Sequence, residues 1–379
     1  MTVELLLTSV RALVRTREEL QRIPHLARMI NALLDHSARW TVPSAARSGF
    51  PHLLEYMASR QHVAPMTSNE VVLGMRVAVK NGHLSVVKWF YENLPPTILP
   101  GNIMDFAAAR GQLAIVQWLH ENTKETCTTF AMDRAARSGH LEMVQWLHEN
   151  RTEGCTTAAM DNAVWDGYLD VIKFLHFNRT EGCTTEAMDR AAWRGYLDIV
   201  RFLHENRTEG CTTSAMDNAA WPGHLEIVKY LHENRTEGCT AAAMGVAAIQ
   251  GHLNVVRYLH ENRTEGCSSH AMDGAAFHNH LDVVRFLHEN RTEGCTVQAM
   301  DGAAAEGHME VLEFLHANRT EGCSIEAAIG VIDRGRLDVL EWLWERYPEV
   351  MNADVLLHRA EIRQRQDVID WIQARLAQT

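Results

Sequence analysis

The sequence predicts an all-α protein, a helical solenoid of about twelve stacked helix pairs. Three observations lead there. The cysteines Cys127, Cys155, Cys183, Cys211, Cys239, Cys267, Cys295 and Cys323 stand 28 residues apart without a slip. The octet HENRTEGC at 148–155 returns at 204, 232, 260 and 288, with near-copies opening at 176 and 316. A glycine keeps the same beat over a longer span: Gly49, Gly82, Gly111, Gly139, Gly167, Gly195, Gly223, Gly251, then Asn279, Gly307 and Gly335. A fixed period of about 20–50 residues marks a stacked array rather than one globule.

The elements follow in order. Residues 1–40 hold two helical stretches, VELLLTSVRALVRTREEL and PHLARMINALLDHSARW, expected to form an N-terminal cap. The array proper is expected over 41–350. Its unit is TTSAMDNAAWPGHLEIVKYLHENRTEGC, beginning at Thr212. Ala215, Met216, Ala219 and Ala220 recur at helical spacing and give the first helix a narrow, small-residue face. Thr212 or Thr213 can cap it. Pro222-Gly223 ends it, and a second helix follows with Leu225, Ile227, Val228 and Leu231 as its buried stripe. Asn-Arg-Thr-Glu-Gly-Cys then carries the chain to the next cap, with Gly238 supplying backbone freedom. Residues 351–379 keep an apolar stripe (Val368, Ile369, Trp371, Ile372) but place RQRQD where Gly-His-Leu stood, as expected of a capping repeat with a polar outer face.

Composition excludes several classes of function. An apolar share of 46% and a charged share of 22% suit a folded, water-soluble chain. The formal charge of −12 disfavours nucleic acid as a partner, although Arg134, Arg137, Arg190 and Arg194 make a short basic strip. No apolar run reaches the roughly 20 residues that cross a bilayer, and three consecutive leucines near the start make no signal-peptide core. The cytosol or nucleus is therefore expected. There the Asn-Arg-Thr sequons at Asn150, Asn178, Asn206, Asn234, Asn262, Asn290 and Asn318 meet no glycosylating enzyme.

The recurring histidine and cysteine raise three chemical readings, and spacing argues against each. Equivalent positions of neighbouring repeats lie about 8–10 Å apart, too far for a disulfide, whose Cα atoms stand within about 7 Å. Structural zinc favours close cysteine pairs, whereas His148 and Cys155 are separated by a helix end and a loop. A nucleophilic dyad needs one site with a third orienting group, not many interchangeable copies. No catalytic residue, metal ligand or cofactor site is expected. His148, His176, His204, His232, His260, His288 and His316 fit helix ends, where positive charge complements the dipole. His140, His224, His252, His280 and His308 open the second helices. Free, semi-buried thiols complete this reading.

The stretch AAWPGHLEIVKYLHEN resembles the ankyrin-repeat pattern A-A-x-x-G-H-x-x-V-V-x-x-L-L, and the step from Gly49 to Gly82 is the ankyrin period of 33. The later units resemble the shortened ankyrin repeats abundant in water moulds. The similarity covers roughly residues 40–375. Against the family's T-P-L-H, the chain reads Ser214, Ala215, Met216 and Asp217, which keeps only the apolar third position. A unit of 28 is five residues short of 33, so the projecting hairpin fingers are expected to be shortened or absent.

Function is expected where the rungs differ. After each Ala-Ala the chain reads Arg137, Trp165 (there after Ala-Val), Trp193, Trp221, Ile249, Phe277 and Ala305; Ser138, Asp166, Arg194, Pro222, Gln250, His278 and Glu306 come next. Arg134, Asn162, Arg190 and Asn218 precede the pair. By resemblance to ankyrin proteins these positions line a concave groove. The expected partner-binding residues are Arg134, Arg137, Asn162, Trp165, Asp166, Arg190, Trp193, Arg194, Asn218, Trp221, Ile249, Phe277 and His278. The expected function is a non-enzymatic scaffold that grips a protein or peptide. The alternative is an adaptor whose segment 1–40 recruits other machinery. Self-association through the apolar strip is a third arrangement.

Overall fold

The computed structural model describes residues 40–59 and 66–377. The expected cap at 1–40, and with it the recruiting segment of the adaptor reading, lies outside the described residues except for Trp40. Among the described residues there are twenty-four α-helices and no strand, which makes twelve helix pairs. The chain divides into two compact units, Met1–Cys183 and Thr184–Thr379. The first unit holds five pairs, from Val42–Arg47 with Pro51–Ser59 to Ala158–Trp165 with Leu169–Asn178. The second holds seven, from Thr185–Arg194 with Leu197–Asn206 to Ala353–Ile362 with Gln366–Leu376. Within each unit a first helix packs on its own second helix and on the first helix of the next pair.

The repeat beginning at Thr212 shows why these residues fold this way. Thr212, not Thr213, is the working cap: its hydroxyl accepts the Ser214 N–H at 3.1 Å. Met216, Ala219 and Ala220 of Ser214–Ala220 are wholly buried, and the two alanines let neighbouring first helices approach closely. Gly223 turns the chain at φ 78°, and a Cβ there would stand 2.6 Å from the His252 ring of the next repeat. Asn279 takes the same left-handed conformation at φ 63°, which asparagine tolerates best after glycine. On the second helix, Leu225–Asn234, the core side chains are Ile227, Val228 and Leu231, with Leu225 only half-buried. The Asn234 amide closes the helix by donating to the Tyr230 carbonyl at 2.8 Å. The other sequon asparagines do likewise, from Asn150 to Asn318, so the sequon is a helix ending.

Two sets of bonds join one rung to the next. The first is a carboxylate clamp. Asp189 of one first helix accepts the Thr212 N–H at 2.9 Å and the Thr212 hydroxyl at 2.7 Å, 23 residues on. The same pairing links Asp105 with Thr128, Asp133 with Thr156, Asp217 with Thr240, Asp273 with Thr296 and Asp301 with Ser324. The hydroxyl that caps a helix is thus itself fixed by the preceding repeat.

The second set lies in the loops. Arg235 holds Glu237 with two parallel hydrogen bonds, and Glu237 accepts the Cys211 N–H of the previous rung at 3.5 Å. Glu181 and Glu293 receive Cys155 and Cys267 in the same way. The paired guanidinium rests against the earlier loop's glycine: Gly238, at φ 75°, faces Arg263 with no room for a Cβ. At the end of the chain the pattern changes, and Asp333 accepts two bonds each from Arg359 and Arg363.

These bonds predict two outcomes. Replacing Asp189 with alanine leaves the Thr212 N–H and hydroxyl without their acceptor, and urea denaturation should show a loss of about 1–3 kcal/mol. The second outcome concerns acid. The Arg235 and Arg291 guanidiniums hold Glu237 and Glu293 down to about 2 from an ordinary 4.5. The stability they contribute is whole above 4.5 and lost as pH falls towards 2. Burial raises Asp189 and Asp301, an effect of opposite sign that offsets part of the loss. Melting temperature followed by circular dichroism should fall within that window, with a shallower fall for Glu237→Gln. A level profile down to pH 2 would contradict the assignment.

Candidate interaction face

The predicted partner-binding residues occupy one register on successive first helices. In the first unit, Arg134 and Arg137 lie on Thr129–Arg137, Asn162 and Trp165 on Ala158–Trp165, and Asp166 directly after. In the second, Arg190, Trp193 and Arg194 lie on Thr185–Arg194, and Asn218 precedes Trp221 at the end of Ser214–Ala220. Ile249 closes Ala241–Ile249, and Phe277 closes His270–Phe277 with His278 following. Arg134, Arg137, Asp166, Arg194, Asn218 and His278 are exposed; Asn162, Arg190 and Ile249 are half-buried.

The large apolar members are neither buried nor fully presented. Trp165 and Trp193 are each 37% exposed, Phe277 39% and Trp221 54%. The geometry of the second unit explains this. Three side chains at this register lean over a glycine of the next first helix: Ile249 over Gly274, Phe277 over Gly302, Ala305 over Gly330. A Cβ at Gly302 would stand 2.9 Å from the Phe277 ring. One face of the side chain packs on the neighbouring rung and the other meets solvent. The Arg194 guanidinium lies 5.8 Å from the Trp193 ring centre, and the His278 ring stands edge-on to Phe277 at 5.0 Å. Arg190 pairs with Glu186, one turn earlier on the same helix.

The histidines opening the second helices hold this register in place. The His308 ring donates to the Phe277 carbonyl at 3.0 Å. Burial lowers the affinity of His140, His224 and His280 for a proton. The other set, expected at helix ends, has a further role. His204 stands edge-on to Tyr230 of the next rung at 5.7 Å, and His120, His148, His232, His260, His288 and His316 repeat the contact. The next loop's arginine approaches the same ring, with Arg151 Nη1 at 3.2 Å from His120 Nδ1. Tyr347 replaces that arginine in the last such loop, with its hydroxyl 2.7 Å from His316 Nδ1.

The cysteine ladder consists of free thiols, all buried except the half-buried Cys267. Burial pushes Cys155, Cys211 and Cys323 up to about 12, and Cys239, Cys267 and Cys295 up to about 11. The nearby Glu181 and Glu237 carboxylates add to the shifts of Cys155 and Cys211. Nothing here makes a thiolate at neutral pH. Among the described residues no group of three or more His, Cys, Asp or Glu side chains is placed to hold a metal ion. No described helix is long and apolar enough to cross a membrane.

The sequence comparisons agree with this geometry. Residues 216–301 match the family described as ankyrin repeats (3 copies), and residues 132–176 and 188–232 match ankyrin repeats (many copies). These stretches are ankyrin repeats. Ankyrin repeats are general protein–protein interaction modules and typically non-enzymatic. No curated protein matches this ankyrin-repeat chain.

Sequence reasoning missed the aspartate clamp and the Arg–Glu loop pairs. Both carry a signal in the period: Asp105, Asp133, Asp161, Asp189, Asp217, Asp273 and Asp301 fall on the 28-residue beat, as do Glu153 to Glu321. Their partners lie in the next repeat, which a unit read singly does not contain.

The thiols yield a prediction. In the folded ankyrin-repeat chain at pH 8, iodoacetamide should label the cysteines slowly, and after unfolding mass spectrometry should count eight modifications. Fast labelling of any one of them in the native protein would show an activated thiol.

Proposed function

We propose that this ankyrin-repeat chain is a non-enzymatic scaffold that binds a protein or peptide partner along the face of its first helices. That is the face which ankyrin proteins turn to their concave side. One observation carries the reading. The position after each Ala-Ala is among those where otherwise similar rungs diverge, and its aromatic residues keep 37–54% of their surface in solvent. Scaffold positions repeat because every rung has the same geometry; a variable, half-exposed aromatic position does not serve that geometry. Tryptophan is the residue most enriched where binding energy concentrates. Trp165, Trp193, Trp221 and Phe277 supply apolar contact. Arg134, Arg137, Asp166 and Arg194 beside them give charge of both signs, which orients a partner more than it tightens one.

The test is affinity capture from lysate with two baits, the intact chain and a Trp165→Ala, Trp193→Ala, Trp221→Ala triple variant, both checked for helicity by circular dichroism. Partners retained by the intact chain alone place binding on this face. An identical set of partners means the tryptophans only pack.

A further inference from the structure

One rung of the second unit keeps the hydroxyl that receives the clamp and lacks the carboxylate. Where the period calls for aspartate, residue 245 is glycine. The receiving position 23 residues on is Ser268, aligned with the threonines that take a carboxylate elsewhere. Serine is competent there: Ser324 donates its N–H and hydroxyl to Asp301 at 2.7 and 2.6 Å. At this rung the first helices leave a hollow of about 250 Å³ between them. Ala242, Gly245, Val246 and Ile249 line one side, and Ser268 and His270 the other. A Cβ built on Gly245 would meet no atom within 4 Å.

The hollow thus has two chemical halves. One is apolar, and the whole hollow, open to solvent on one side, exceeds the roughly 150 Å³ of an enclosed cavity that holds benzene. The other presents the Ser268 amide and hydroxyl, a pair that sister rungs use to bind a carboxylate. His270 Nδ1 lies 3.5 Å from the Ser268 hydroxyl and gives a further polar group at the rim. Ile249 belongs both to this hollow and to the interaction face.

We propose that the hollow binds the C-terminal residue of a peptide partner. The apolar side chain would enter between Ala242, Val246 and Ile249, and the α-carboxylate would take the Ser268 N–H and hydroxyl. An internal Asp or Glu offers the carboxylate without the apolar body, and an internal Leu or Phe the body without the carboxylate. A chain terminus carries both on one Cα. This assignment rests on the interaction-face reading and names the partner's chemistry.

The test uses the full chain and calorimetry with four probes: N-acetyl-phenylalanine, its amide, the tetrapeptide Gly-Gly-Gly-Phe with a free C-terminus, and phenylacetate. The two peptide acids should bind, and the amide should bind weaker by about tenfold or more, the loss expected for charge-assisted hydrogen bonds. Gly245→Asp supplies the carboxylate from within; it should abolish binding and melt no lower than the parent. Probe binding by the parent chain reports on the hollow alone, and partner capture by the tryptophan triple variant on the face alone, so that the two failures are read separately. Equal binding of acid and amide overturns the proposal. So does binding retained by Gly245→Asp, or no binding by any probe. Phenylacetate binding tighter than the tetrapeptide would assign the hollow to a free acid and overturn the peptide terminus.

Discussion

At six rungs a carboxylate is received by the amide and hydroxyl of the next repeat's cap, and this is the constraint on which the array depends. A helix pair this short buries too little to stand alone, and its first helix needs a fixed start. The clamp supplies that start from the neighbouring repeat. Thr212 can cap Ser214–Ala220 because Asp189 orients its hydroxyl, and Asp217 on that helix then orients Thr240. Local structure and stacking are therefore the same event. Hydrogen bonds to an ionised acceptor are stronger than neutral ones, and here they add to the apolar packing between successive first helices.

The fold was legible because repetition multiplies weak signals. Ala-Ala, Met216 and the Ile227-Val228-Leu231 stripe would each be a modest helix cue alone; recurring on one beat, they leave no competing architecture. The clamp was not legible in the same way. Within its own helix Asp217 looks like a polar residue on a solvent face, and its partner Thr240 looks like an ordinary cap. Only their register across the period connects them. The loop Arg–Glu pairs hid for a related reason, since Arg235 and Glu237 stand two residues apart in an irregular segment where no periodic rule applies. The histidines were placed at helix ends, but their edge-on contact with the next rung's ring depends on stacking geometry that sequence does not state.

The candidate site was legible in position and incomplete in character. Comparing rungs singles out Trp193, Trp221 and Phe277 as members of an apolar strip, but it does not say how each side chain lies on its neighbour. Glycines one rung on, Gly274 and Gly302, let Ile249 and Phe277 lean down and leave one flank to solvent. Such residues lose less rotamer freedom on binding than mobile ones, because packing has already ordered them. The substitution at Gly245 was equally visible as a letter and carried no meaning until the clamp gave the position a role.

The reach of the joints has an evolutionary consequence. They span 23, 26 and 31 residues, so each ties a repeat to its immediate neighbour. Gain or loss of whole 28-residue blocks, as happens when near-identical gene segments recombine unequally, leaves every surviving joint with a partner. The chain's length is therefore free to drift while its cross-section stays fixed. What such an exchange alters is the order of the odd rungs, above all how far the glycine-bearing one lies from the aromatic ones. Selection on a family of these proteins would act on that spacing, as on the distance between two teeth of a key.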